Sequence, residues 1–309
     1  MTNFFGQYIG FGAGGVAAAG AVSQGSNYGY SCLGEQGDRI DRFAFASDGD
    51  ATDVGGKSSA RTATRNVSAT SSATHAYVCG GSSAEDTIDK FAFASEGTLS
   101  DVGSLANGRA CQDEGNQSAD NGYQGGGDAS GATNFIDKFS HVSDGDGSDI
   151  GNLTRSTRYS SGQSSATHGF TSCGHPASQN EIDKYAFASD GDAADHGDLA
   201  TAVYGSGGCA SVDYGYCFGG NTPVAYRAGI EKFAFASGGG SEIGSTTGNS
   251  YASCGVASTT HGYRAGGIQA GGPGQYVDVI DKWTTASDND ATDVGNLTGT
   301  QDDAGGAQY

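Results

Sequence analysis

The chain has 309 residues, of which 35 are acidic, 15 are basic and 55 are glycine. Its formal net charge of -20 argues against a nucleic-acid partner, because a phosphate backbone is held by clustered lysines and arginines. The abundance of glycine disfavours a helical enzyme, and no apolar run is long enough for membrane insertion. We therefore expect a packed β protein, synthesised in a cytoplasm without a signal peptide.

One short phrase recurs six times along the chain: an isoleucine, an acidic residue, a basic residue and an aromatic residue. The copies begin at Ile40, Ile88, Ile136, Ile182, Ile230 and Ile280, which are 46 to 50 residues apart. A period of this length is typical of repeat architectures whose unit is one supersecondary module.

Each repeat reads as four short strands in a constant order. In the second repeat a Ser/Thr-rich segment over 61–73 is followed by strands at 76–81, 88–94 and 101–105. Four strands in about 47 residues match one propeller blade. The third strand has apolar residues on both faces, as expected of a sheet packed between two neighbours.

We predict an all-β fold, a single six-bladed β-propeller of four-stranded antiparallel blades over 16–300. A segment at 1–15 serves attachment or closure, and 301–309 is a tail. The blades are placed at about 16–58, 59–106, 107–154, 155–200, 201–247 and 248–300. Two modes of ring closure stay open, because a first inner strand can lie near 17–24 while 301–306 also aligns with the start of a first strand.

Several polar residues recur in step with the repeat. An acidic-basic pair in the third strand, such as Asp89-Lys90, predicts structural ion pairs at the rim or between blades. The Asp-rich turn after it, as at Asp48, Asp50 and Asp53, fits a tight turn, with calcium as the alternative.

Histidines and cysteines also fit structural positions. Histidines recur every 93 residues, at His75, His168 and His261, and fit a hydrogen-bonded turn, with a metal on the axis as the alternative. The seven cysteines have no metal-ligand spacing and read as small buried residues, with a disulfide scaffold as the alternative. We assign no metal and no other cofactor.

Two sets of residues are candidates for ligand binding. Three arginines fall at the start of first strands, where they can grip acidic sugars or bond to carbonyl groups of neighbouring blades. The variable loops after the second strands add aromatic, amide and basic groups, which suit glycan or protein recognition. The candidates are Arg61, Arg109, Arg158, Tyr226, Arg227, Gln269 and Tyr276.

No catalytic motif is present in a suitable context. A degenerate Gly-x-Ser-x-Gly at 205–207 lies in a glycine-rich strand and lacks the strand-to-helix turn of a nucleophile elbow. We therefore predict that the protein is not an enzyme.

The module resembles the kelch-type repeat: a strand ends in Gly-Gly, as at Gly80-Gly81, and an aromatic strand and a Gly-x-Leu segment follow. Leu33-Gly34 and Cys173-Gly174 depart from the glycine pair, and Trp283 is the single tryptophan.

A second resemblance lies in the amino-acid sequence of the repeat. The strings IDRFAFASDGDATDVG at 40–55 and SSATH at 71–75 resemble repeats of phage tail-fibre and virion surface proteins. This resemblance implies a non-enzymatic virion component, made in the host cytoplasm and exposed on the particle surface. Its variable loops would bind a host cell-surface glycan or protein, and its other partners would be virion proteins or further copies of the chain. The alternatives are a structural propeller that decorates a capsid or docks on a tail, and, third, a polysaccharide-active enzyme.

Overall fold

A computed structural model describes residues 24–111, 113–269 and 275–309. Within these residues the chain is all-β and contains no helix, so none of this part forms a helix that could span a membrane. The predicted segment 1–15 and nearly all of the possible inner strand near 17–24 lie outside the described residues.

The strands form five sheets. In spatial order, the strands of the first are Gly305–Gln308, Tyr28–Cys32, Arg39–Ala44 and Thr52–Gly56. Those of the second are Asp113–Glu114, Ser68–Ser71, His75–Cys79, Thr87–Ala92 and Ser100–Ser104. Those of the third are Asn116–Gln117, Asn121–Gly125, Thr133–Ser140 and Ser148–Thr157.

The remaining strands form one large and one small sheet. The fourth sheet has eight strands: Ser161–Ser164, His168–Gly174, Gln179–Ala186, Ala194–Ala210, Tyr214–Asn221, Arg227–Ala234, Gly238–Tyr251 and Ile268–Gln269. The fifth contains Cys254–Ala257, His261–Ala265, Val279–Thr284 and Thr292–Asn296. Adjacent strands are antiparallel, except that Asp113–Glu114 runs parallel to Ser68–Ser71.

Hydrogen bonding yields five sheets rather than the six predicted. The difference arises in the long strand Ala194–Ala210. Its residues up to Val203 pair with Gln179–Ala186, and its residues from Tyr204 onward pair with Tyr214–Asn221. Because the strand continues without a break, two repeats share one sheet.

The carboxyl-terminal strand completes the first sheet. Gly305–Gln308 pairs with Tyr28–Cys32, and the Tyr309 carbonyl accepts the N–H groups of Ser26, Asn27 and Tyr28 at 3.0, 2.5 and 2.9 Å. The segment 301–309, predicted to be a tail, therefore contributes a strand. The physical reason is that this strand satisfies the otherwise unpaired edge of Tyr28–Cys32.

Aromatic contacts join each repeat to the one before it. The third-strand aromatic ring packs on a second-strand ring of the preceding repeat, with centroids 5.3 to 6.2 Å apart. The pairs are Phe43 with Tyr263, Phe91 with Tyr30, Phe139 with Tyr77, Tyr185 with Tyr123, Phe233 with Phe170, and Trp283 with Tyr216. The first pair joins the last repeat to the first, so the sheets form a propeller-like ring.

Small residues fill the centre of this ring. A cavity of only about 30 Å³ remains there, room for a water molecule or two. It is lined by Ala69, Gly115, Gly162, Gly208, Gly255 and Gly306, among others. A Cβ built on Gly306 would lie 2.1 Å from the Gly255 carbonyl oxygen, and one on Gly255 would lie 2.1 Å from that of Gly208. Glycine thus lets the inner strands approach until only this small space remains between them.

Substitution at this centre tests the close packing. We expect Gly306→Ala to lower the free energy of unfolding by about 1 to 3 kcal/mol, since the added methyl group meets backbone that cannot move aside. Gly299→Ala is the matched control, because the nearest atoms there belong to the far end of the Arg39 side chain. Urea unfolding of both variants measures the difference, and equal midpoints would show that the inner strands are not in contact.

The glycine pairs mark a left-handed turn at the end of the second strand. The first glycine has φ of 61° at Gly80, 70° at Gly126, 66° at Gly219 and 65° at Gly266. Leu33 and Cys173, which replace this glycine in two repeats, keep the same conformation with φ of 63° and 57°. The backbone path is therefore retained where the sequence departs from the pattern.

All seven cysteines are buried, and none of them forms a disulfide bond. This agrees with their interpretation as small core residues and argues against the disulfide scaffold.

Candidate binding face

Each repeat buries the acidic residue of its third strand against an arginine. The ion pairs are Asp41 with Arg39, Asp89 with Arg61, Asp137 with Arg109, Asp183 with Arg155, Glu231 with Arg227, and Asp281 with Arg264. Their N–O distances are 2.7 to 3.0 Å, apart from 3.9 Å for Arg39. A buried carboxylate is strongly unfavourable without such a partner, which explains why each of these acidic residues is accompanied by an arginine.

Three of the predicted site residues, Arg61, Arg109 and Arg227, belong to this structural set. The guanidinium group of Arg61 donates to the carbonyl groups of Val78 at 2.9 Å and Thr87 at 3.0 Å, and that of Arg109 donates to Gly126 at 2.6 Å. Both side chains are fully buried. The carbonyl groups belong to the same repeat as each arginine and not to a neighbouring blade, which was the alternative that the sequence had left open, and neither guanidinium group presents its charge to a ligand.

The basic residue of the third strand forms its ion pair with the following repeat, whereas the acidic residue pairs within its own repeat. Its partner is the first acidic residue of the next Asp-rich turn, or Glu96 in the second repeat. The pairs are Arg42 with Glu96, Lys90 with Asp144, Lys138 with Asp190, Lys232 with Asp288, and Lys282 with Asp48. These contacts confirm the prediction of ion pairs between neighbouring modules.

Lys184 breaks this pattern. Gly238 stands where its carboxylate partner would be, and no acidic side chain of the described residues pairs with Lys184; its ammonium group lies 5.7 Å from the centroid of the Phe170 ring.

The Asp-rich turns use all three carboxylates as structural acceptors. Asp190 accepts from Lys138, Asp192 from the N–H of Asn152 at 2.9 Å, and Asp195 from the N–H of Gly197 at 2.8 Å. These contacts explain the recurring triplet as turn chemistry.

The recurring histidines occupy equivalent turns. Nδ1 of His75, His168 and His261 lies 2.8 Å from Oγ1 of the preceding threonine in each case. Burial, with a lysine nearby, lowers the pKa of each of these histidines. Among the described residues, no potential metal cluster contains them, so the contacts favour the turn interpretation.

Aromatic residues from the fourth sheet and the loops that flank its strands gather in one place. We call the set the tyrosine cluster: Tyr159, Tyr204, Tyr226, Tyr251 and His175. Tyr226 stacks on Tyr251 with centroids 5.5 Å apart, and Tyr204 lies 5.7 Å from Tyr251 and 6.2 Å from Tyr159. His175 lies 5.2 Å from Tyr204. The rings are only partly buried, so apolar faces reach the surface.

Polar groups surround the tyrosine cluster. Arg158 pairs with Asp128, donates to His175 Nδ1 at 3.3 Å, and lies 5.8 Å from the Tyr159 ring centroid. The Asn221 amide donates to the Tyr204 hydroxyl at 2.6 Å. Beside the rings is a concavity of about 380 Å³, lined by residues that include His175, Tyr204, Asn221 and Val224.

Three other predicted site residues lie along the strand that ends in the tyrosine cluster: Arg227 and Gln269 both pair with Ser250, and Tyr276 bridges to Ile268, the partner of Tyr251. Arg227 forms ion pairs with Glu231 at 2.7 Å and Glu242 at 2.5 Å, and Gln269 pairs with the strand that ends in Tyr251. Of the seven candidates, Arg158 and Tyr226 come together at the tyrosine cluster. The candidate set does not include the other members of the cluster, although Tyr159, Tyr204 and Tyr251 stand near the start of successive first strands.

Three carboxylates meet near Tyr276. One oxygen each of Glu35, Asp302 and Asp303 lies within 4.8 Å of the other two. Burial, with nearby carboxylates, raises the pKa of Asp302 and that of Asp303 to about 7. The charge of Glu35, more than those of the two aspartates, raises the pKa of Tyr276. The sequence did not reveal this group, because Glu35 lies near one end of the described chain and the aspartates near the other.

The fold and this face define a class: a propeller-like ring of antiparallel sheets, most of them four-stranded, with an aromatic cluster on the eight-stranded sheet. Comparison of the sequence with models of known protein families, and with curated proteins, found no match.

Proposed function

We propose that the protein is a non-enzymatic binding protein that holds a saccharide against the tyrosine cluster. The observation that carries this proposal is the contact of four tyrosines and His175 beside a concavity that has both polar and apolar lining residues. Ring faces stack on the C–H faces of sugars, while amide and hydroxyl groups orient the sugar hydroxyls. Loops on a repetitive scaffold are the usual location of such specificity.

A neutral sugar suits this face better than an acidic one. The net charge of -20 repels sulfate and carboxylate groups. Arg61 and Arg109 are buried, and the charge of Arg158 is neutralised by Asp128. The ligand is therefore recognised by stacking and hydroxyl contacts.

The ring has six kelch-like blades in this proposal, with the eight-stranded sheet counted as two. Its support is the sixfold recurrence of the buried acid–arginine pair and of the aromatic contact between repeats. The long strand Ala194–Ala210 is then the outer strand of one blade and the inner strand of the next.

We place the protein on the surface of a phage particle, as a tail-fibre or capsid component, on the resemblance of its repeat strings. The saccharide is then part of a host envelope glycan. A purely structural role in the particle is the competing function.

A glycan array with the purified chain tests the binding role. We expect binding of a neutral glycan that Tyr226→Ala weakens about tenfold, the usual effect of losing about 1.4 kcal/mol of contact energy at an aromatic anchor. Tyr214→Ala is the matched control, because Tyr214 is exposed but lies at a turn between first and second strands, away from the cluster.

The competing function gives a different result. Absence of glycan binding, together with tight incorporation of the chain into particles, supports the structural role. Release of reducing ends from a polysaccharide would contradict the non-enzymatic proposal.

A further inference from the structure

Three carboxylates lie at the seam where the ring closes. Glu35 follows the strand Tyr28–Cys32, and Asp302 and Asp303 precede the closing strand Gly305–Gln308. The Glu35 N–H donates to the Asp302 carbonyl at 3.0 Å, and the Asp303 N–H donates to the Ala252 carbonyl at 3.1 Å. Backbone hydrogen bonds therefore tie together the segments that carry the three side chains.

The Asp302 carboxylate forms no ion pair among the described residues, and the nearby Arg65 pairs with Glu35. Asp302 is only 1% exposed, and neither of its carboxylate oxygens has a hydrogen-bond donor among the described residues. A buried carboxylate in this condition is strongly unfavourable, because it has lost its water without gaining a substitute. Such a group points to a ligand.

The local charge favours a divalent cation as the ligand. Arg65 pairs with Glu35 at 2.7 Å and neutralises one of the three carboxylates. The set then carries a net charge of about -2 when ionised, and its donors are all oxygen, which hard cations prefer.

The number of carboxylates favours calcium. Calcium binds about six to eight oxygens at about 2.3 to 2.6 Å, so opposite ligands lie about 4.6 to 5.2 Å apart. The three oxygens, which lie within 4.8 Å of one another, fit within one such shell. Magnesium keeps several of its water ligands and is usually held by only one or two carboxylates. The exposed side of Glu35 leaves room for water ligands.

We propose that Glu35, Asp302 and Asp303 bind one Ca²⁺ ion that clamps the carboxyl-terminal segment to the first sheet. The ion takes the place of the missing donors at Asp302. It also ties together two segments that are distant in the chain, so it stabilises the closed ring.

The Asp-rich turns are the other place for calcium that the sequence left open. Their carboxylates already accept from lysines and backbone N–H groups, as at Asp144 and Asp146, whose partners are Lys90 and the N–H of Ser104. The seam differs because Asp302 lacks any such donor within the described chain.

Calorimetric titration of the EDTA-stripped full chain with CaCl₂ tests the proposal. We expect one Ca²⁺ per chain and a higher midpoint of thermal unfolding when calcium is present, since an ion that binds only the folded state stabilises it. Asp302→Asn and Glu35→Gln should each weaken binding about tenfold or more, because calcium affinity follows the number of charged ligands. Asp146→Asn is the matched control and should bind calcium as the natural chain does.

Folding of the variants is checked by unfolding in EDTA. Asp302→Asn removes an unpartnered negative charge and should be at least as stable as the natural chain there, while Glu35 is exposed. The proposal would be overturned if the natural chain took up no Ca²⁺, or if Asp302→Asn and Glu35→Gln took up Ca²⁺ as well as the natural chain does. So would loss of uptake in Asp146→Asn, which would place the ion in the turns.

Discussion

A chain that ends at Ala304 should lose on the order of 5 kcal/mol of unfolding free energy. The truncation removes a ladder of four residue pairs with Tyr28–Cys32, where each hydrogen bond contributes about 1 kcal/mol. It also removes the Tyr309 ring, which stacks on Phe93 with centroids 5.0 Å apart and adds about 0.5 to 1.5 kcal/mol. This loss is comparable with the whole stability of many domains, so the ring should open.

Urea unfolding measures the loss, and sedimentation velocity detects its second consequence. The uncovered edge of Tyr28–Cys32 should pair with other chains and cause association. Gln308→Ala is the control, because it keeps the backbone of the closing strand and should cost less than about 1 kcal/mol. A truncated chain with the midpoint of the natural one would show that this strand does not close the ring.

Arg109→Ala should destabilise the protein by about 3 to 5 kcal/mol, the cost of leaving a buried charge without its partner. The side chains of Arg109 and Asp137 are both fully buried and lie 2.8 Å apart. The substitution also removes the hydrogen bonds that Arg109 donates to the carbonyl groups of Gly126 and Gln124, at 2.6 and 2.9 Å.

Lys138→Ala is the matched control for this pair. Lys138 and Asp190 form an ion pair at 2.9 Å whose side chains are 27% and 57% exposed, so solvent screens it and its loss should cost about 0.2 to 1 kcal/mol. Equal losses in the two variants would mean that Arg109 does not serve as a buried partner. Arg109→Ala should leave glycan binding by the folded fraction unchanged, since the guanidinium group does not reach the surface.

These two predictions concern interactions of different range. The buried acid–arginine pairs fix the third strand within each repeat, whereas the closing strand joins the two ends of the described chain. In a ring of repeats each module contacts both of its neighbours. Loss of the contact between two modules therefore exposes a covered surface on each of them.

The candidate site shows what spacing can and cannot reveal. Tyr226 is recognisable from the sequence as part of a variable loop, but its partner Tyr251 lies in another repeat, and their stacking depends on how the long strands end. Arg61 and Arg109 each lie 27 residues before the isoleucine of their repeat, as does Arg155, whereas Arg158 lies 24 residues before Ile182. Arg61 and Arg109 turn inward to carbonyl groups, Arg155 takes the same place against Asp183, and Arg158 lies beside the Tyr159 ring.

The sequence by itself determined the all-β class, the repeated module and the structural role of the acidic-basic phrase. These features depend on residues near one another in the chain, and strand alternation and turn chemistry express them directly. Tertiary structure decided how the ring closes, which two repeats share a sheet, which rings form the tyrosine cluster and where Glu35 meets Asp302. Each of these depends on which distant segments come into contact, and a local pattern does not encode that choice.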